Sequence, residues 1–152
     1  MKPITTLLAC LISIQLFACN KNNEMTNNSN NILDTSSTKV KITIGTNSFI
    51  ASLFNNATAT AFKAKLPLTI DMKELNGNEK YFDLPNSLPT NATNPGTIQT
   101  GDLMLYGSNT LVLFYKTFST SYNYTRLARI DNPTGLATAL GSGNRTVKFE
   151  IE

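Results

Sequence analysis

The chain of 152 residues contains no histidine. That absence removes Ser-His-Asp and Cys-His catalysis, and with them the commonest zinc ligand. Hydrolysis would fall to carboxylates, and Glu74, Glu79, Asp83 and Asp102 are the acids that could supply a glycosidase-like pair. Their spacing along the chain does not set their separation in space. The simpler reading is solvated loop acids, with Gly101-Asp102 opening a strand. Gly141-Ser142-Gly143 lacks the strand–loop–helix context and the Lys-Ser/Thr ending of a phosphate loop. No catalytic residue, metal or cofactor is assigned. A different chemistry is suggested by Tyr106, Phe114, Tyr115, Phe118, Tyr122 and Tyr124, which run up to Arg126 and Arg129. Rings around a guanidinium form a shallow cleft for a peptide or small anion, through apolar contact and charge-assisted hydrogen bonds. These residues are the candidate binding site. Each ring taken singly reads first as core or rim. The Ser/Thr-rich stretch from Phe118 to Tyr124 has little use for three large rings unless they touch something.

The N-terminal segment carries a second kind of chemistry. Lys2 is followed by a mostly apolar run from Ile4 to Phe17, then by Ala18 and Cys19. This is the layout of a secretory signal, too short and too polar to span a membrane stably. Leu16-Phe17-Ala18-Cys19 resembles the lipobox of bacterial lipoproteins, which implies acylation of Cys19 as the first mature residue. Leu7-Leu8-Ala9-Cys10 is a weaker second match, because cleavage there leaves a very short apolar run. A secreted protein without lipid, or an uncut anchor, remains the plainer alternative. Cutting before Cys19 also removes Cys10, so no disulfide can form within the mature chain. The expected place is therefore the bacterial cell envelope, with lipid holding the protein to the membrane and the domain facing outside the cytoplasm. Residues 19–38 are rich in Asn, Ser and Thr and predict a flexible spacer, since they cannot bury enough apolar surface to offset their ordering entropy.

Positioning any cleft falls to residues 39–152, a length suited to one domain. The net charge of +3 forms no basic stripe, which argues against a nucleic-acid partner. Lys39 to Ile44 alternates polar and apolar residues, as do Phe49 to Leu53 and Val147 to Ile151. The first strand is basic on its outer face and the last is partly acidic, so the two are expected to pair. Further strands are predicted at Leu68–Met72, Lys80–Leu84, Asp102–Tyr106, Leu111–Lys116 and Thr125–Ile130. The continuous apolar run Leu111–Tyr115 predicts burial on both faces. Asn56 can cap a helix from Ala57 to Leu66, ended by Pro67, and Leu136–Leu140 gives a second helix closed by Gly141. Many short strands with two small helices predict a mainly β fold closed into a barrel.

The order of segments carries a second resemblance. Met72-Lys73-Glu74-Leu75-Asn76-Gly77-Asn78-Glu79-Lys80-Tyr81 precedes Leu88-Pro89, Gly101-Asp102-Leu103-Met104-Leu105-Tyr106-Gly107 and Leu111-Val112-Leu113-Phe114-Tyr115-Lys116. Ser121-Tyr122-Asn123-Tyr124-Thr125-Arg126-Leu127, Arg129-Ile130-Asp131 and Gly135-Leu136 follow. Together they resemble the bacterial cyclophilin-like domain family over residues 40–150. The resemblance implies a closed eight-stranded cyclophilin-like β-barrel with two short helices, and no settled activity. True cyclophilins carry Phe-His-Arg and Phe-Met-x-Gln-Gly-Gly-Asp motifs that are missing here; Ile98-Gln99-Thr100-Gly101-Asp102 is a faint echo of the second. The leading expectation is noncovalent binding of a peptide or small ligand. The alternative is a weak peptidyl-prolyl isomerase in which Arg126 or Arg129 replaces the missing arginine. A third reading, a structural module of an envelope assembly, predicts no concave pocket.

Overall fold

Alternation of inward and outward side chains every second residue closes this chain into a barrel of eight antiparallel strands. The structure is a computed structural model and describes residues 38–152. The signal segment, Cys10, Cys19 and nearly all of the spacer lie outside the described residues. In chain order the strands are β1 (Lys39–Ile44), β2 (Asn47–Leu53), β3 (Leu68–Leu75), β4 (Glu79–Asp83), β5 (Thr97–Ile98), β6 (Asp102–Tyr106), β7 (Thr110–Phe114), β8 (Phe118–Ser119), β9 (Thr125–Ile130) and β10 (Arg145–Ile151). The barrel runs β1-β10-β3-β4-β7-β6-β9-β2 and closes between β2 and β1. The expected terminal pair forms, with Lys41 opposite Glu150 and Ile42 opposite Phe149. Lys41 Nζ lies 3.7 Å from Glu150.

Among the described residues two helices accompany the strands, α1 (Ala57–Lys63) and α2 (Leu136–Leu140). The Asn56 side chain accepts from the Ala59 amide at 2.8 Å, the capping bond its position predicts, worth about 1 kcal/mol. The helix stops at Lys63 rather than Leu66, because residues 64–66 tighten into turns in which the Lys65 and Leu66 amides reach the carbonyls of Phe62 and Lys63. Phe62 drives into the barrel and meets Phe149 edge-on, centroids 5.7 Å apart.

Two apolar clusters form. The larger fills the barrel and includes Ile42, Phe62, Leu103, Leu105, Leu111, Leu113 and Phe149. The smaller, Ile98, Met104, Val112, Phe114 and Tyr124, lies on the opposite face of β6 and β7, outside the wall. Strand β7 is therefore buried on both faces, as its unbroken apolar run predicts. Its outer cover is a two-stranded sheet of β5 and β8, with Ile98 opposite Phe118. Those two strands, of two residues each, are too short to leave a periodic signal in the sequence.

Candidate functional site

Three neighbouring strands turn a grid of side chains outward. On β4 these are Glu79, Tyr81 and Asp83; on β7 they are Phe114, Val112 and Thr110, directly opposite in register. On β6, Met104 pairs with Val112 and Tyr106 with Thr110. The segment from Phe118 to Tyr124 arches over one side of this grid. Between arch and grid lies a cleft of about 540 Å³. Leu75, Asn76 and Asn78 of the β3–β4 turn complete its edge. Asn76 and Gly77 both take positive φ, 57° and 67°, a conformation that Asn and Gly accept with little strain.

The aromatic residues fall into two groups, one along the cleft and one turned into the barrel. Tyr106, Phe118, Tyr122 and Tyr124 line the cleft. Tyr106 meets Tyr122 edge-on at 6.1 Å and Tyr124 at 5.6 Å. Phe114 lies fully buried beneath, 5.7 Å from Phe118 and 5.5 Å from Tyr124. Tyr115 turns the other way, into the barrel cluster, where its hydroxyl donates to Glu74 at 2.8 Å. Burial and then the Glu74 hydrogen bond push that phenol up to about 12. Burial, followed by the charge of Glu79, pushes Tyr124 up to about 12 as well.

Neither arginine joins the rings. Arg126 lies over the Phe54 ring at 5.8 Å, and Arg129 Nε donates to Asp102 at 2.6 Å. Between β6 and β9 the register jumps from Leu103–Ala128 to Met104–Arg126, passing over Leu127. This bulge leaves both arginines half-exposed on strand β9, where partners other than the cleft hold them.

Three of the four acids behave differently from solvated loop residues. Asp102 is fully buried, accepts from the Gln99 amide at 2.9 Å and pairs with Arg129. Glu74 pairs with the fully buried Lys80. Asp83 stays exposed and accepts from the Thr110 hydroxyl at 2.7 Å. Glu79 lines the cleft, is only 9% exposed and has no hydrogen-bond or ion-pair partner among the described residues. The Asn78 Oδ1 beside it is a buried acceptor without a donor. Among the described residues no three His, Cys, Asp or Glu side chains gather as a metal site.

Residues 42–152 match the model of the cyclophilin-like family. The chain belongs to the cyclophilin-like family. No curated relative matches its sequence. Among solved structures, the barrel is similar to that of a hypothetical protein from Archaeoglobus fulgidus, with a TM-score of 0.53 and 16% identity over 76% of this chain and 95% of that one. At that identity the likeness shows the fold alone.

In this cyclophilin-like barrel, Glu79 has a measurable signature. Burial first, and then the neighbouring charge of Glu74, raises its carboxyl above the ordinary 4.5. A carboxyl raised in the folded state favours folding below its unfolded value and loses that contribution as pH rises through the folded value. At pH 7 the ionised group therefore opposes folding. Glu79→Gln is expected to raise Tm by on the order of 2–5 °C at pH 7. The gain should fade as pH falls through the raised folded value and be gone below the ordinary 4.5, as thermal scans of both proteins across pH would show. A variant less stable than the parent at pH 7 would refute the idea of an uncompensated carboxylate.

Proposed function

We propose that this protein is a lipid-anchored, extracytoplasmic cyclophilin-like module that binds a peptide or small ligand noncovalently in the cleft outside β4, β7 and β6. The cleft carries the binding half of the reading. It is concave, walled by Tyr81, Tyr106, Tyr122 and Tyr124, and of a size suited to a small molecule or a few peptide residues. A purely structural module would have no need of it. The lipobox-like Leu16-Phe17-Ala18-Cys19 carries the anchoring half. Among the described residues no helix is long and apolar enough to cross a membrane.

Catalytic readings draw less support. Prolyl isomerisation called for Arg126 or Arg129 in the aromatic cleft, and both are engaged elsewhere. A carboxylate pair would need Glu79 and Asp83, four residues apart on one strand. Asp83 is exposed and accepts from the Thr110 hydroxyl, so it shares none of the burial that marks Glu79.

The test uses the full chain in two readouts. Wild type is expected to take up one equivalent of a neutral solvatochromic dye such as Nile red. Tyr122→Ala, at a side chain 61% exposed, should weaken uptake several-fold without unfolding the protein. In bacterial cells that process lipoproteins, Cys19→Ala should move the protein from the membrane to the soluble fraction. Absence of dye binding by the wild type removes the binding half; membrane retention of Cys19→Ala removes the anchoring half.

A further inference from the structure

The chain as a whole is basic, with a net charge of +3, yet its cleft is not. The lining includes two carboxylates, Glu79 and Asp83, and no lysine or arginine. Glu79 is nine-tenths buried and unpartnered among the described residues. Burying a carboxylate without a counter-charge is costly, and chains rarely keep one where nothing meets it. The adjacent Asn78 Oδ1 is a second acceptor lacking a donor. Ring faces supply the remaining wall, and these attract cations through their quadrupoles. The rim already displays that contact, because the Lys73 ammonium sits 5.8 Å from the Tyr81 ring centroid.

We propose that the cleft is selective for an organic cation, an ammonium or guanidinium on an apolar chain, with the charge on Glu79 and the chain against Tyr81, Tyr106 and Tyr122. The inference rests on the ligand-binding reading above and names the chemical class of that ligand. It reverses the expectation of an anion held by Arg126 or Arg129. A metal ion fits poorly, since no cluster of three ligating side chains exists among the described residues. An organic cation needs one carboxylate and aromatic faces, which the cleft has. The charges around Glu79 are those of Glu74 on β3, Lys73 above Tyr81 and Asp83 further along β4. Lys80, the next residue, directs its ammonium to Glu74 and the Gly141 carbonyl. It is thereby committed to another carboxylate.

Three probes of one skeleton separate charge from shape: 4-phenylbutylamine, 4-phenylbutanol and 4-phenylbutyrate, titrated calorimetrically into the full chain at pH 7 and low salt. The amine is expected to bind at least tenfold more tightly than the alcohol, and the butyrate more weakly than either. Glu79→Gln should bring the amine to within twofold of the alcohol, and Asp83→Asn should reduce the preference less. Thermal scans of both variants verify folding. Equal binding of amine and alcohol by wild type overturns the cation inference and leaves the binding reading intact. Preference for the amine that survives Glu79→Gln overturns the role of Glu79. Failure of all three probes overturns both readings.

Discussion

Replacing Glu74 by alanine is expected to cost about 3–5 kcal/mol, because it strands a positive charge inside the barrel. The Lys80 ammonium has no solvent exposure. It donates to Glu74 and, at 2.8 Å, to the Gly141 carbonyl, and it faces the Tyr115 ring at 5.1 Å. Without Glu74, one carbonyl and one ring face must hold a full charge. The Tyr115 hydroxyl and the Gly77 amide, which also donate to Glu74, lose their acceptor at the same time. For a domain of this size Tm should fall by roughly 10–20 °C. The double variant Glu74→Gln, Lys80→Met should recover most of the loss, since a neutral pair leaves no orphaned charge. Chemical denaturation of the singles and the double measures the coupling. A Glu74→Ala protein within 1 kcal/mol of wild type would mean that water reaches Lys80, which would sink the argument.

The same pair sets a pH dependence. Burial alone would push the Glu74 carboxyl up, but the hydrogen bonds from Lys80 and Tyr115, the charge of Lys80 and the Gly77 amide together hold it below the ordinary 4.5. A lowered carboxyl adds stability above its unfolded value and loses it as pH falls through the folded one. The deficit of Glu74→Ala should therefore be full at neutral pH and shrink under acid.

How much of this could be read from the chain depends on whether polarity matched burial. Where it did, the strands were legible. Lys39 to Ile44 and Val147 to Ile151 alternate cleanly, and their opposite outer charges gave the pairing of β1 with β10. On β4 polarity and burial part company. Lys80 is buried within the wall while Tyr81 faces the cleft, so alternation there could not say which face is which. The rings of the cleft were visible as an aromatic excess in a Ser/Thr-rich stretch. Glu79 was visible only as one of four candidate acids, and nothing tied it to the rings until Phe114 is found opposite it in register. Arg126 and Arg129 misled for a related reason. Nearness in sequence put them with Tyr124, but Asp102 and Phe54 hold them on β9. The cover strands β5 and β8 lie twenty residues apart in sequence and span two residues each. Only the tertiary contact of Ile98 with Phe118 makes them a sheet.

That cover is the place to separate binding from folding. Phe114→Ala should be the most damaging single change to the cleft. The side chain is fully buried, on the outer face of β7, and contacts both Phe118 and Tyr124. Truncating a buried Phe costs about 3–5 kcal/mol when the whole fold bears the loss. Here the ring belongs to the small outer cluster, not to the barrel interior. Much of the loss should therefore appear as local opening of the arch from Phe118 to Tyr124. Amides of β5 and β8 are expected to lose hydrogen-exchange protection, while those of β1 and β10 keep most of theirs. Binding in the cleft should weaken by more than tenfold, because the arch is one of its walls. Tyr122→Ala provides the contrast, with stability within about 0.5 kcal/mol of wild type and only a several-fold loss of binding. Simultaneous loss of protection in β5, β8, β1 and β10 would instead make the outer cluster part of one cooperative unit with the barrel. The cleft would then be as rigid as the wall beneath it, and ligand entry could not depend on movement of the arch.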